Sequence, residues 1–432
     1  MKRFYILLCI LVCVSVPSVF SQQSELLMRY RSMALDYNHD LKAAEKNISA
    51  SMEIERAAKA DLKPKLSGDV NFQYMGKPLE LTLDLPSIDN PLQFKGRDIK
   101  YGASLTLLQP LYTGGRILET IRMAKHQQSL ASHQAEMFRA SICYQTDIQY
   151  WNTVARYEMV GVATDFRNSV SSFVQTIRER EEVGLVDPQD LLMAEVKLNE
   201  AEYLLIQAKS YFETGRMGLN SLIGIDLQEQ TVVEAQVPEI IRTDSIRNVE
   251  GTDRPELKMA YDKIKLAESS MKLTDSKYKP QLYIGADGSY SSPGYDLRSD
   301  LDPNYAVYAK LSIPIFEWGK RKSEKRASRL KVDMATDQMN KVEDNVNLEI
   351  QTARVSLSRA IEQVELSSNS LEKARENEQK ALERYTEGKI SVVEVIEAQT
   401  YRQTSQLNYV QAKALAQGAY SGLLKALNEY EY

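Results

Sequence analysis

The chain is written nearly twice over, with 204 residues between the copies. Leu107–Arg116 recurs as Leu311–Lys320, and Arg180–Glu195 recurs as Arg384–Gln399, both at that one offset. The 68 residues between Gly115 and Gly184 therefore match the 68 between Gly319 and Gly388, and the second run holds neither Gly nor Pro. An unbroken run of this length predicts one long helix, about 100 Å at 1.5 Å per residue, that turns back sharply at the following glycine. A duplicated long helix preceded by an alternating, strand-like segment restricts the fold to an elongated repeat body or bundle.

The first residues bear on compartment. Lys2 and Arg3 precede an apolar run from Phe4 to Val16, then Pro17, and Ser21 ends a stretch fit for cleavage, so residues 1–21 read as a secretory signal. The apolar part is too short for a bilayer-spanning helix. Cys9 and Cys13 lie inside it behind Leu8 and Val12, which does not fit a lipoprotein cut. Cys143 is the third cysteine, so the chain beyond the signal can form no intrachain disulfide. The net charge of −5, more negative without Lys2 and Arg3, argues against nucleic acid as a partner.

Each copy runs helix, strand, loop, strand, long helix, tight turn, helix. The expected organisation is repeat one over 22–224, a mixed segment over 225–251, and repeat two over 252–432. The first helix of repeat one is expected from Glu25 to Asp61 without a break, ending at Lys63-Pro64. Its counterpart opens at Asp253-Arg254-Pro255-Glu256-Leu257, where Pro suits a first helical turn, and ends at Lys279-Pro280.

After those prolines the pattern changes to period two. Leu66, Gly68, Val70, Phe72 and Tyr74 alternate with Ser67, Asp69, Asn71 and Gln73. Ile99, Tyr101, Ala103, Leu105 and Leu107 alternate with Lys100, Ser104 and Thr106, and repeat two offers Leu282–Tyr290 and Tyr305–Ile313 in the same manner. These are four strands of about 10 residues, the length that a tilted membrane strand needs. The loops between them, Gly76–Arg97 and Ser291–Asn304, differ in length, as solvent-facing loops can. The long helices carry a near-heptad stripe, Val342, Val346, Ile350, Ala353, Leu357, Ile361, Val364, Leu371 and Ala374, with Leu348, Val355 and Leu366 off it. Apolar residues on two flanks suit a ring of helices better than a two-stranded coil.

Four strands cannot close a membrane barrel, because open edges would leave backbone groups unpaired in hydrocarbon. The smallest closed bacterial barrels have about eight strands, so a monomeric barrel is excluded and the strands must join a shared one. Three chains would give twelve strands, polar faces to the lumen, and Tyr74, Tyr101, Tyr290 and Tyr305 outward as girdle residues.

This ordered set, with Arg384-Tyr385-x-x-Gly388-x-x-Ser391-x-x-Glu394-Val395-Ile396-x-Ala398-Gln399, the Asp253–Leu257 helix start and the Leu219-Asn220-x-Leu222-Ile223-Gly224 helix end, resembles the TolC-type outer-membrane efflux family. The resemblance implies an α+β membrane channel: a trimer whose 12-stranded β-barrel, four strands per chain, continues into a long α-helical barrel in the periplasm. It further implies a homotrimer in outer-membrane lipid, docked by a periplasmic adaptor protein and an inner-membrane transporter, for efflux or type I secretion. It implies export rather than chemistry, and no residue pattern in the sequence calls for a cofactor.

Two turns are the candidate working end. Val183, Gly184, Leu185 and Val186 at the first, and Gly388, Lys389, Ile390 and Ser391 at the second, join helix-ending glycines to capping residues. They are helical-hairpin turns in any case, and Leu185, Val186 and Ile390, read as exposed, are also candidates for adaptor docking. Asp190 aligns with Glu394, and Glu397 follows one turn later. These are either solvated helix-start acids or, multiplied around an axis, acidic rings at a cation-selective aperture. The family resemblance implies a latch of Tyr385 with a basic residue near the second turn. Ile390 stands where that residue is expected, leaving Lys389 or Arg384.

His126 and His133, seven apart, read as a surface pair rather than a metal site. No Gly-rich phosphate loop, serine elbow or nucleophile triad is present in the sequence, so no catalytic residues are expected. The alternative class is a soluble periplasmic coiled-coil adaptor or scaffold. Four Tyr-rich alternating strands weigh against it.

Overall fold

A computed structural model describes residues 24–78, 80–83, 92–240, 253–293 and 300–430. The segment read as a signal lies outside these residues, as do 241–252 between the repeats and parts of both inter-strand loops. The described elements are α1 (Glu25–Tyr37), α2 (His39–Ala60), β1 (Lys65–Tyr74), β2 (Glu80–Leu83), β3 (Leu92–Lys95), β4 (Ile99–Tyr112), α3 (Arg116–Glu182), α4 (Pro188–Ile223), α5 (Pro255–Ser276), β5 (Gln281–Ser292), β6 (Asp302–Ser312), α6 (Lys320–Thr386) and α7 (Val392–Leu427). The helices α3 and α6 have 67 residues each and α4 and α7 have 36 each, all placed at the 204-residue offset of the repeat.

The chain forms two compact units, each drawing on both repeats. One holds the strands together with residues 40–60, α5, and the starts of α3 and α6. Its main sheet has the order β1-β4-β5-β6, antiparallel throughout. The register sorts the residues by polarity. Gly68 lies opposite Leu105, Leu105 opposite Gly288, and Gly288 opposite Tyr305. Val70 lies opposite Ala103, which lies opposite Tyr290, while Leu107, Ala286 and Val307 form another such row. Asp69, Ser104, Ser289 and Asn304 make up a row of the other face. A slip of one residue between any two strands would mix the faces.

One expectation for this unit is corrected, and one element was not foreseen. His126 and His133 are not a surface pair: their Nδ1 atoms lie 3.5 and 3.1 Å from the two carboxylate oxygens of Asp262 on α5, with both rings largely covered. The loop after β1 carries its own hairpin, β2 with β3, where Glu80 lies opposite Lys95 and an ion pair of 3.4 Å joins them. That short alternation is hidden in the sequence among the prolines of the loop.

The second unit holds α1, α4, α7 and the remainder of α3 and α6. The α6 stripe is buried as expected at Ile350, Leu357, Val364 and Leu371, whereas Val355 and Leu366 are exposed. The unbroken first helix is a further correction: the chain leaves the helical conformation at Asn38 (φ −56°, ψ 123°), where one unit gives way to the other. Neither Gly nor Pro signals the break; Asn, whose side chain competes for backbone hydrogen bonds, is tolerated there. Tyr37, just before it, lies over Gly224. A Cβ on Gly224 would meet the ring 2.1 Å away, and its φ of 76° also favours glycine.

The ends of this unit are tied by buried polar contacts. Arg31 and Asp147 form a fork of 2.6 and 2.7 Å, both side chains almost fully buried, and the Tyr430 hydroxyl donates to the same carboxylate at 3.1 Å. The described part of the inter-repeat segment, 225–240, has no helix or strand. Asn220 holds it by donating to the carbonyls of Asp226 and Glu229, each at 3.0 Å, and Glu158 by accepting from the Val237 amide at 2.9 Å.

Candidate functional site

The two turns are copies of each other at atomic detail. Leu185 N–H donates to Arg180 O and Gly184 N–H to Glu181 O, each at 2.8 Å, while Lys389 to Arg384 and Gly388 to Tyr385 repeat the pattern at 2.9 Å. This is a Schellman ending, with left-handed φ values of 74° at Gly184 and 73° at Gly388. Each following helix is then capped. Asp187 accepts from Gln189 N–H at 2.8 Å, with Pro188 in the first turn, and Ser391 forms a reciprocal capping box with Glu394.

Exposure divides the candidate docking residues. Val183 and Leu185 are each 69% exposed, while Val186 and Ile390 are not exposed but tuck against the core. The reading of those two as exposed is corrected. Each precedes a cap residue and shares a cluster with the residue four places into its helix, Leu191 or Val395, which is a hydrophobic staple. Gly184, Gly388, Lys389 and Ser391 are open to solvent. Lys389 pairs with Glu387 at 2.6 Å.

Behind the turns lies a core of Phe166, Val170, Phe173, Val174, Ile177 and partners from α4 and α7, with Tyr385 inside it. Tyr385 is 4% exposed, edge-on to Phe173 at 5.0 Å. The basic group on its ring comes from the first hairpin: Arg180 Cζ lies 5.0 Å from the ring centroid, and its guanidinium donates to the Tyr385 carbonyl at 3.0 Å. The Tyr385 hydroxyl is buried with no hydrogen-bond partner among the described residues. Burial raises its pKa, Arg180 pulls it back, and Asp190 adds to the rise.

The three candidate acids differ. Glu397 is exposed and Asp190 half-buried. Glu394 is exposed but occupied, accepting from the Ser391 backbone at 2.8 Å and the Ser391 hydroxyl at 2.9 Å. Those bonds, with a smaller contribution from Arg384, hold its carboxyl below the ordinary value. Such a group stabilises the fold above the unfolded-state pKa, about 4.3, and the contribution disappears as pH falls through the lower folded-state value. Amide protection over Val392–Val395 should therefore weaken relative to Val410 when pH drops from 6 to 3. Equal protection at both pH values would contradict the role of the capping box.

A polar cluster deeper between these helices was missed from sequence. Ser169 donates to Glu378 at 3.0 Å, Gln399 donates to Ser169 at 3.0 Å, and Arg402 bonds Glu378 at 2.8 Å. Glu378 and Arg402 stand at similar distances either side of the turn at Gly388, a signal that hairpin geometry could have supplied. Arg180 offered no comparable signal, because its contact joins two different hairpins.

A sequence profile described as outer membrane efflux protein matches residues 30–225 and 252–429. Among curated proteins, the solvent efflux pump outer membrane protein SrpC of Pseudomonas putida is 22% identical over 399 residues, 88% of this chain and 80% of the relative. The fold is similar to the Campylobacter jejuni CmeC outer membrane channel, at TM-score 0.77 and 19% identity, covering 93% of this chain and 85% of that one. It is also similar to the outer membrane protein VceC of Vibrio cholerae, at TM-score 0.76 and 16% identity over 93% and 95%. The strands, hairpins and turns described above thus occur in an α+β fold shared with outer-membrane channels, and the profile covers both repeats: the chain belongs to the outer membrane efflux protein family.

Proposed function

We propose that this outer-membrane protein is a passive export duct, made when three copies pool their strands into a 12-stranded barrel continued by a tube of helices in the periplasm. The observation that carries the reading is the sheet, whose one face is apolar and exposed, with Val70 at 87%, Tyr305 at 84%, Phe72 at 73% and Val307 at 73%. Water does not favour such a face, but lipid does. The edges β1 and β6 have no further strand among the described residues, so a barrel requires other copies.

In this reading repeat one spans 22–224 and repeat two 252–432, and the hairpin turns form the periplasmic end. Val183, Gly184 and Leu185 at the first turn, with Val186 tucked beneath them, and Gly388, Lys389, Ile390 and Ser391 at the second, dock a periplasmic adaptor that links the duct to an inner-membrane transporter. Tyr385 holds the closed aperture through Arg180. Asp190 and Glu397 face the aperture as acidic rings, with Glu394 committed in part to its cap.

Reconstitution into planar bilayers tests the reading. Discrete conductance steps with cation preference are expected. Asp190→Asn combined with Glu397→Gln, which leaves the capping box intact, should lower that preference and weaken block by divalent cations. Unchanged selectivity would overturn the rings, and recovery of the wild-type protein in the soluble periplasm would overturn the duct.

A further inference from the structure

The two strand pairs inside the repeats are copies of one another. Lys65 opposite Leu108 in β1–β4 becomes Gln281 opposite Ser312 in β5–β6, and every intervening pair maps in the same way. Each β1 position reappears 216 residues later in β5, and each β4 position 204 residues later in β6. The pair that joins the repeats, β4–β5, has no counterpart among the described residues, since its equivalent would join β6 to β1 and these are the edges of the sheet.

We propose that β6 of one copy pairs with β1 of a second copy in the register that β4–β5 dictates, with Ser312 opposite Asp69, Lys310 opposite Asn71, Leu311 opposite Val70, and Ala309 opposite Phe72. The template pairs are Leu108 with Gly285, Thr106 with Asp287, Leu107 with Ala286, and Leu105 with Gly288. The proposal rests on the shared-barrel reading above and assigns its seam. Applied across copies, the rule keeps apolar residues opposite apolar ones and Lys310 on the polar face. A slip of one residue would set Lys310 opposite Val70 or Phe72, in the apolar band.

A second observation at the strand-to-helix junctions points to the same neighbour. Gly114, with φ 65°, sits so close to the α5–β5 link that a Cβ would lie 2.6 Å from Ser276 O and 2.7 Å from Lys279 Cβ. Its counterpart in repeat two is Trp318, also left-handed at φ 47°, a conformation disfavoured for a bulky side chain. Trp318 is 90% exposed, Phe316 stands edge-on to it at 5.0 Å, and Ile315 is 93% exposed. The counterpart of the Ser276–Lys279 link is Ala60–Lys63, whose Leu62 side chain is 47% exposed. In the proposed register the second copy brings that link to Trp318, and the indole fills the space that the Gly114 junction closes by direct backbone contact. A slip of two residues would preserve the faces but carry the link about 7 Å away from the indole.

Paired cysteines read the register. Asp69 and Ser312 lie on opposite edges of one sheet, three strand spacings or about 14 Å apart across the strands and farther still along them, since the row of Asp69 meets β6 at Asn304, so any disulfide between them joins two copies. The native Cys143 is 1% exposed, with its thiol pushed up to about 12 by burial, and does not compete. On mild oxidation of the membrane-assembled protein, Asp69→Cys with Ser312→Cys should cross-link about tenfold more than Asn71→Cys with Ser312→Cys, whose Cα atoms would be diagonal and too far apart. Preference for the Asn71 partner, or no cross-link in a sample that is still oligomeric in detergent, would overturn the register while leaving the shared barrel standing. A parent protein that is monomeric in detergent would overturn the shared barrel itself, and the seam with it.

Discussion

Asp147→Ala should destabilise the helical unit by about 3–5 kcal/mol, the cost of leaving a buried charge without its partner. The carboxylate is fully buried and accepts from Arg31 twice and from Tyr430 once, and the Arg31 guanidinium lies 5.0 Å from the Tyr430 ring centroid. Burial disfavours the charge on Arg31, but the bond and charge of Asp147 hold its pKa above the ordinary value. The cluster joins α1, α3 and the residues following α7, three stretches distant in sequence. Replacing the pair together, Arg31→Met with Asp147→Leu, should recover most of the loss because no charge is then stranded. Thermal unfolding of both variants in detergent checks this. A double variant as unstable as Asp147→Ala would show that the cluster is needed for more than charge neutralisation.

The sheet provides the second large effect, read by comparing neighbours. Val307→Arg places a charge in the middle of the apolar face, opposite Ala286, and should cost about 2–4 kcal/mol of membrane-inserted stability near the bilayer midplane. Ala306→Arg, one residue away, lies on the polar face opposite Asp287 and should leave insertion nearly unchanged while altering conductance. Urea titration in liposomes measures the first, and bilayer recording the second. Equal losses at both positions would mean that the sheet does not divide lipid from lumen.

The sequence disclosed much of this architecture because the repeat compares the chain with itself. A matched offset located α3, α6 and both turns, and period two located the long strands. It could not show the break at Asn38, where neither Gly nor Pro stands and where tertiary packing of Tyr37 on Gly224 accompanies the change of unit. Nor could it show that Val186 and Ile390 point inward, since a residue before a cap is apolar whether it docks a partner or staples its own helix. The sequence also left hidden that Glu394, alone of the three acids, is bound by its own cap. Tyr385 was legible from the motif, and Arg180 was not, since nothing in a single hairpin indicates which neighbouring hairpin supplies its cation.

The central claim is that one chain supplies a third of a barrel and is a channel only in company. Native mass spectrometry of the detergent-extracted protein tests it most directly. Three copies per particle are expected at all concentrations above dissociation, and a folded, monodisperse monomer that still conducts ions would contradict the account.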